Sequence, residues 1–109
     1  MTKGANMIIY NKLIRDKIPQ IIEASGKTAS VEVLDDSAYV KSLNLKLQEE
    51  LDEYLEDESV DELADIVEVI MAILKHKEVS LEAFESIRKK KQEDRGAFEK
   101  KLFLRHVED

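Results

Sequence analysis

A mainly α fold with a four-helix arrangement is predicted by three features of this chain. Glycine and proline are scarce, 3 and 1 in 109 residues, so long stretches carry no helix breaker. Apolar residues recur every three or four positions through the middle of the chain, the period of a helix with one buried face. Capping residues stand ahead of those stretches, at Asp35, Asp36 or Ser37, at Ser59 and at Ser80.

The elements follow in chain order. Residues 2–6 carry no pattern and are expected to lack order, so Met7 is read as the start of the folded part. Residues 11–17 are polar and basic. Pro19 suits the first turn of a short helix, with Asp16 as its cap and Gly26 as a left-handed stop. Residues 31–34 alternate through Val31 and Val33 and read as a short strand. A long helix over 37–56 takes its apolar stripe from Val40, Leu43, Leu47, Leu51, Tyr54 and Leu55. Ser59-Val60-Asp61-Glu62 is a capping box that opens a helix over about 60–77. Leu63, Ile66, Val67, Ile70, Ile73 and Leu74 form its stripe. Ser80 opens a last helix through about residue 91, and Gly96 interrupts the pattern. Residues 101–107 alternate loosely and form a second strand candidate, which could pair with 31–34 as a short two-stranded β element.

Length and charge bound the function. One domain is the natural reading of 109 residues. Charged residues reach 38%, above the usual ~25%, yet hydrophobic residues reach 43%, too many for disorder throughout. A net charge of −7 argues against non-specific binding to nucleic acid or an anionic membrane. No apolar run approaches the roughly 18 residues of a membrane span, and no signal peptide is evident. A soluble, cytoplasmic protein is expected. With no cysteine, a disulfide framework is excluded.

Two carboxylate pairs carry the chemistry. Glu50 and Glu53, and then Glu62 and Asp65, each stand three residues apart, on one helix face. If the two helices run antiparallel, the four acids can converge. An all-oxygen site suits a hard divalent cation such as Mg²⁺, with Mn²⁺ as the alternative. At 100° per residue, Glu50 lies roughly 60° from Leu47 and Glu53 roughly 120° to the same side. Glu49 falls nearly opposite the core unless another element covers it. Glu62 and Asp65 flank the stripe of the next helix. Gathered acids raise one another's pKa unless a cation is present. Each feature also has a plain alternative: solvated faces are often acid-rich, and Glu62 could simply serve the Ser59 capping box.

The blocks Glu49-Glu50-Leu51-Asp52-Glu53 and Glu62-Leu63-Ala64-Asp65 resemble the signature of the MazG-like, all-α nucleotide pyrophosphohydrolase superfamily. The opening Tyr10-Asn11-Lys12-Leu13-Ile14-Arg15-Asp16-Lys17-Ile18-Pro19 resembles that of a phosphoribosyl-ATP pyrophosphohydrolase-like branch. So does the closing Lys91-Gln92-Glu93-Asp94-Arg95-Gly96-Ala97-Phe98-Glu99. The resemblance implies Mg²⁺-dependent cleavage of a nucleoside triphosphate between the α and β phosphates, by helical subunits that form homodimers or homotetramers. It implies Glu50, Glu53, Glu62 and Asp65 as metal ligands, and Glu49 as an accessory or water-orienting acid. The segment between the two acidic blocks is shorter than in many members, which leaves substrate identity open.

Phosphates call for cations. Lys12, Arg15 and Lys17 form one basic cluster, and Lys91 and Arg95 another, where Gly96 would allow close backbone approach. The alternative is a set of surface cations balancing an acidic protein. Tyr10 and Phe98 adjoin these clusters and are the aromatic residues to test for base stacking; the other aromatics read as core. The expected function is hydrolysis of a nucleoside triphosphate, standard or non-standard, to a monophosphate and pyrophosphate. The alternatives are phosphoribosyl-ATP hydrolysis in histidine biosynthesis, and a non-enzymatic helical module whose acidic faces meet a basic partner.

Overall fold

The computed structural model describes residues 7–109. Four helices form among them: α1 (Ile18–Ala24), α2 (Asp36–Asp57), α3 (Val60–His76) and α4 (Leu81–Arg95). The reading of residues 2–6 lies outside the described residues. The chain divides into two compact units, Met1–Ile73 and Leu74–Asp109, and each is described by itself.

In the first unit, residues 7–17 run as a non-helical strap into α1. Pro19 sits in the first turn as expected, but the N-cap position is Lys17 rather than Asp16, and no side chain caps the helix. Gly26, at φ +90°, follows its end. Asp35 caps α2 by accepting a 2.8 Å hydrogen bond from the Ala38 N–H. The helix stops at Glu58, whose left-handed backbone (φ +54°) carries an N–H donated to the Tyr54 carbonyl. Only Glu58 and Ser59 separate α2 from α3, a connection of αα-hairpin length. Ser59 then opens α3 by accepting from the Glu62 N–H at 3.3 Å.

The apolar stripes are less covered than their periodicity predicts. Leu43 and Val69 are the buried apolar side chains among the described residues, and Leu51, Leu55, Leu63 and Val67 are exposed. Of the two predicted stripes, Leu47, Tyr54, Ile66, Ile70 and Ile73 are half-buried.

In the second unit, Ser80 caps α4 by accepting from the Ala83 N–H at 3.1 Å. The helix runs four residues past its predicted end. Lys90 and Asp94 pair across one of its turns at 2.9 Å. Gly96 then takes φ +85°, and a Cβ built on it would meet open space. That positive φ is one glycine adopts readily. The membrane reading finds no candidate either: among the described residues, no helix is long and apolar enough to cross a membrane.

The expected β element is corrected. No strand occurs among the described residues, and 31–34 and 101–107 are irregular. Val33 is fully exposed, and Val31, Leu102 and Leu104 are exposed as well. An isolated two-stranded ribbon needs an apolar face to bury before it is stable in water, and these segments bury none.

Candidate metal centre

The short α2–α3 connection brings the two acidic blocks together. Glu50 on α2 and Glu62 and Asp65 on α3 each offer a carboxylate oxygen, and these oxygens lie within 4.8 Å of one another. Three acids thus converge where four were expected. Glu53 is not among the three, yet it senses them. Burial, and then the charges of Glu50, Glu62 and Glu49, push its carboxyl above its ordinary value. Glu62 is raised too, by burial and then by the charges of Asp57, Asp65 and Glu50, while a hydrogen bond with Glu53 acts the other way.

The capping alternative for Glu62 does not describe its side chain. In a full capping box that carboxylate reaches back to the N–H of the cap residue. Here the Ser59 N–H is donated to Asp57 Oδ1 at 3.1 Å. Glu62 is left to face the other acids. Its Oε2 is buried without a hydrogen-bond partner, as is Oε2 of Glu50. Glu50 is only 6% exposed. Two orphaned buried carboxylate oxygens are costly. An all-oxygen donor set with such orphans fits a hard divalent cation.

Glu49 departs from its outward position on the helical wheel because the strap covers it. Lys12 Nζ lies 2.8 Å from its Oε1, and Lys46 Nζ lies 2.7 Å from its Oε2. Burial pulls the Glu49 carboxyl upward, but these two hydrogen bonds and charges outweigh it and hold it below the usual carboxylate range. Lys46 also lies 3.3 Å from Glu50 Oε1. Its ammonium is half-buried; burial opposes its charge, and the bonds to Glu49 and Glu50 outweigh that and raise it. The sequence reading missed Lys46. A signal was present, because Lys46 stands three and four residues before Glu49 and Glu50, the spacing of helix ion pairs.

The predicted phosphate-binding cations separate into groups. Arg15 Nη2 meets Asp65 Oδ1 at 2.6 Å, and Lys12 meets Glu49 as above. Both pairs therefore face the acidic cluster. Lys17 is exposed at the start of α1. Lys91 and Arg95 are exposed on α4, within the second unit. A groove of about 230 Å³ runs between residues 10–13 of the strap and residues 42–49 of α2. Tyr10 borders it, exposed, with Lys12 Nζ 5.6 Å from its ring centroid. Phe98 is almost wholly exposed, and Phe103, read as core, is exposed too.

No family model matches the chain, and no solved structure matches it. An uncharacterized protein of Mycolicibacterium smegmatis is 45% identical to it over 42 residues, which is 38% of this chain. The match spans 43% of that relative's own length.

Proposed function

We propose that the chain is a MazG-like nucleotide pyrophosphohydrolase that works with Mg²⁺, or with Mn²⁺ in its stead. On this reading it cleaves a nucleoside triphosphate between the α and β phosphates in the cytoplasm. The observation that carries the reading is the convergence of Glu50, Glu62 and Asp65 with two buried, unpartnered carboxylate oxygens. Acids on a merely solvated face have no reason to bury oxygens away from water. The sequence resemblance supplies the reaction type.

Glu50, Glu62 and Asp65 would hold the ion, with Glu53 at their edge. A divalent ion there supplies positive charge to phosphate oxygens and to the departing pyrophosphate. Glu49 is the group for the water. Lys12 and Lys46 each hold one of its oxygens and keep it ionised, so it serves to orient a water, whose proton passes to solvent as the bond to phosphorus forms. Attack of that water on the α-phosphorus forms one P–O bond. The bond from the α-phosphorus to the bridging oxygen breaks, and that oxygen leaves with pyrophosphate. Lys12 stands beside Glu49 and offers a cation to the phosphates. The substrate contacts assigned to Arg15, Lys17, Lys91 and Arg95 rest on the resemblance.

Pyrophosphate release from a panel of natural and modified triphosphates, with phosphoribosyl-ATP included, tests the reading. Some member of the panel should be cleaved in Mg²⁺. Glu50→Gln and Asp65→Asn should each lower turnover more than about 100-fold, beyond what loss of an outer-shell partner costs, while circular dichroism stays helical. Full activity in both variants, or no cleavage of any nucleotide, would favour the helical interaction module instead.

The same reading includes association into a homodimer or homotetramer. Leu45, Leu55, Val67 and Met71 leave apolar surface uncovered on α2 and α3, and a two-fold axis is a common way to bury such surface. Light scattering should report a dimer or tetramer at micromolar concentration; a monomer would remove this part.

A further inference from the structure

Two cations close on the three converging acids, each on one oxygen of one of them, and Lys46 also holds Glu49 at 2.7 Å. Lys46 lies on Glu50 Oε1, while Glu50 Oε2 is buried and unpartnered. Arg15 lies on Asp65 Oδ1, which leaves Oδ2 as the oxygen free of that pair. In each acid one oxygen is engaged by a cation and the other lies outside that pair. The Arg15–Asp65 pair is poorly suited to be a stability device. Arg15 and Asp65 have side chains 55% and 39% exposed, and such pairs are worth about 0–1 kcal/mol.

We infer that Lys46 and Arg15 are positioning residues that make Glu50 and Asp65 one-oxygen ligands, and so tune the site to Mg²⁺ or Mn²⁺ against Ca²⁺. The inference rests on the reading of these acids as a divalent-cation site. The physics is a matter of size and ligand number. Mg²⁺ demands a near-ideal octahedron at about 2.0–2.1 Å and keeps several waters. Ca²⁺ takes six to eight oxygens at about 2.3–2.6 Å and readily uses both oxygens of one carboxylate. An oxygen held by an ammonium or a guanidinium is less available for that second bond. Ca²⁺ thus loses ligands that Mg²⁺ does not need. Lys12 provides a contrast on the same strap as Arg15. It holds Glu49 at 2.8 Å, and Glu49 is outside the three converging acids.

Isothermal titration of the full chain with Mg²⁺, Mn²⁺ and Ca²⁺, without nucleotide, tests the inference. Lys46→Met and Arg15→Met should each shift the Ca²⁺-to-Mg²⁺ affinity ratio toward Ca²⁺ by about tenfold, the lower end of outer-shell effects. Lys12→Met should leave that ratio unchanged. Loss of a positive charge strengthens binding of every cation, so the ratio is the diagnostic quantity. Unaltered ratios in Lys46→Met and Arg15→Met would overturn the inference, as would an equal shift in Lys12→Met. Arg15 is half exposed, so its variant decides the matter should Lys46→Met fail to fold. Wild-type protein that binds none of the three ions overturns the metal reading and this inference together. Wild-type binding with an invariant ratio overturns the inference alone.

Discussion

The strap–α2–α3 unit and the α4 unit use the same charged residue types in opposite ways. On α4, the pairs are local: Arg88 with Glu85 and Lys90 with Asp94. Each joins neighbouring turns of one helix, and each is largely exposed. In the first unit, beside the local pairs of Lys46 on α2, two pairs bridge long stretches of chain, Lys12 to Glu49 and Arg15 to Asp65. They end on acids that also crowd one another. Local pairs are the ordinary chemistry of a solvated helix and contribute a few tenths of a kcal/mol. Long-range pairs arise only because the fold draws distant acids together. Density of charge is therefore a poor guide to function in this chain; convergence from different elements is the better one.

Divalent ions should break the symmetry between the units most strongly. At an ion concentration 100 times its Kd, a ligand that binds only the folded state adds about 2.7 kcal/mol. For a domain of this size that raises Tm by roughly 10–20 °C. Differential scanning fluorimetry should show the rise in Mg²⁺ or Mn²⁺, its loss in EDTA, and its absence in Glu50→Gln. Glu85→Gln, on α4, should keep it in full.

Acid should separate the units more gently, and with opposite sign. In metal-free protein Glu53 and Glu62 have folded-state pKa values above their ordinary ones. Their contribution to stability is fully present below the unfolded carboxylate value of about 4.3 and is lost as pH rises through the raised folded values. Glu85 behaves in the reverse way. Its hydrogen bond with Arg88 holds it below the ordinary value, so its contribution is present above the unfolded value and is lost as pH falls through the folded one. In EDTA, Tm should therefore increase as pH falls from 7 toward about 5. It should turn over at lower pH, where Glu49 and Glu85 become protonated. Combining Glu53→Gln with Glu62→Gln should flatten the increase, and Glu85→Gln should alter only the acid limb. An increase that survives the double substitution would place its cause outside the acidic cluster.

The four helices and the caps of the last three were legible in the sequence because their causes are local, whereas the cap expected of Asp16 on α1 is absent. Asp35, Ser59 and Ser80 each cap with an oxygen three residues from the N–H that it receives, and such a bond needs nothing from the rest of the chain. The pairing of 31–34 with 101–107 was misread because alternation records a tendency, not a partner. Glu49 meets the condition attached to its outward position, since another element does cover it, and which element that is lay beyond the wheel. A helical wheel knows its own axis and nothing of a strap that crosses it.

The sequence by itself determined the helical periods, the caps and the spacing of the acidic pairs, because each depends on residues within one or two turns. Tertiary structure alone decided that Glu50, Glu62 and Asp65 converge, with Glu53 beside them. It also decided that Lys12 and Arg15 end on carboxylates of α2 and α3. Those outcomes depend on how a two-residue turn and a non-helical strap bring separate elements together, and on where burial then leaves a charge without water. No local pattern encodes that.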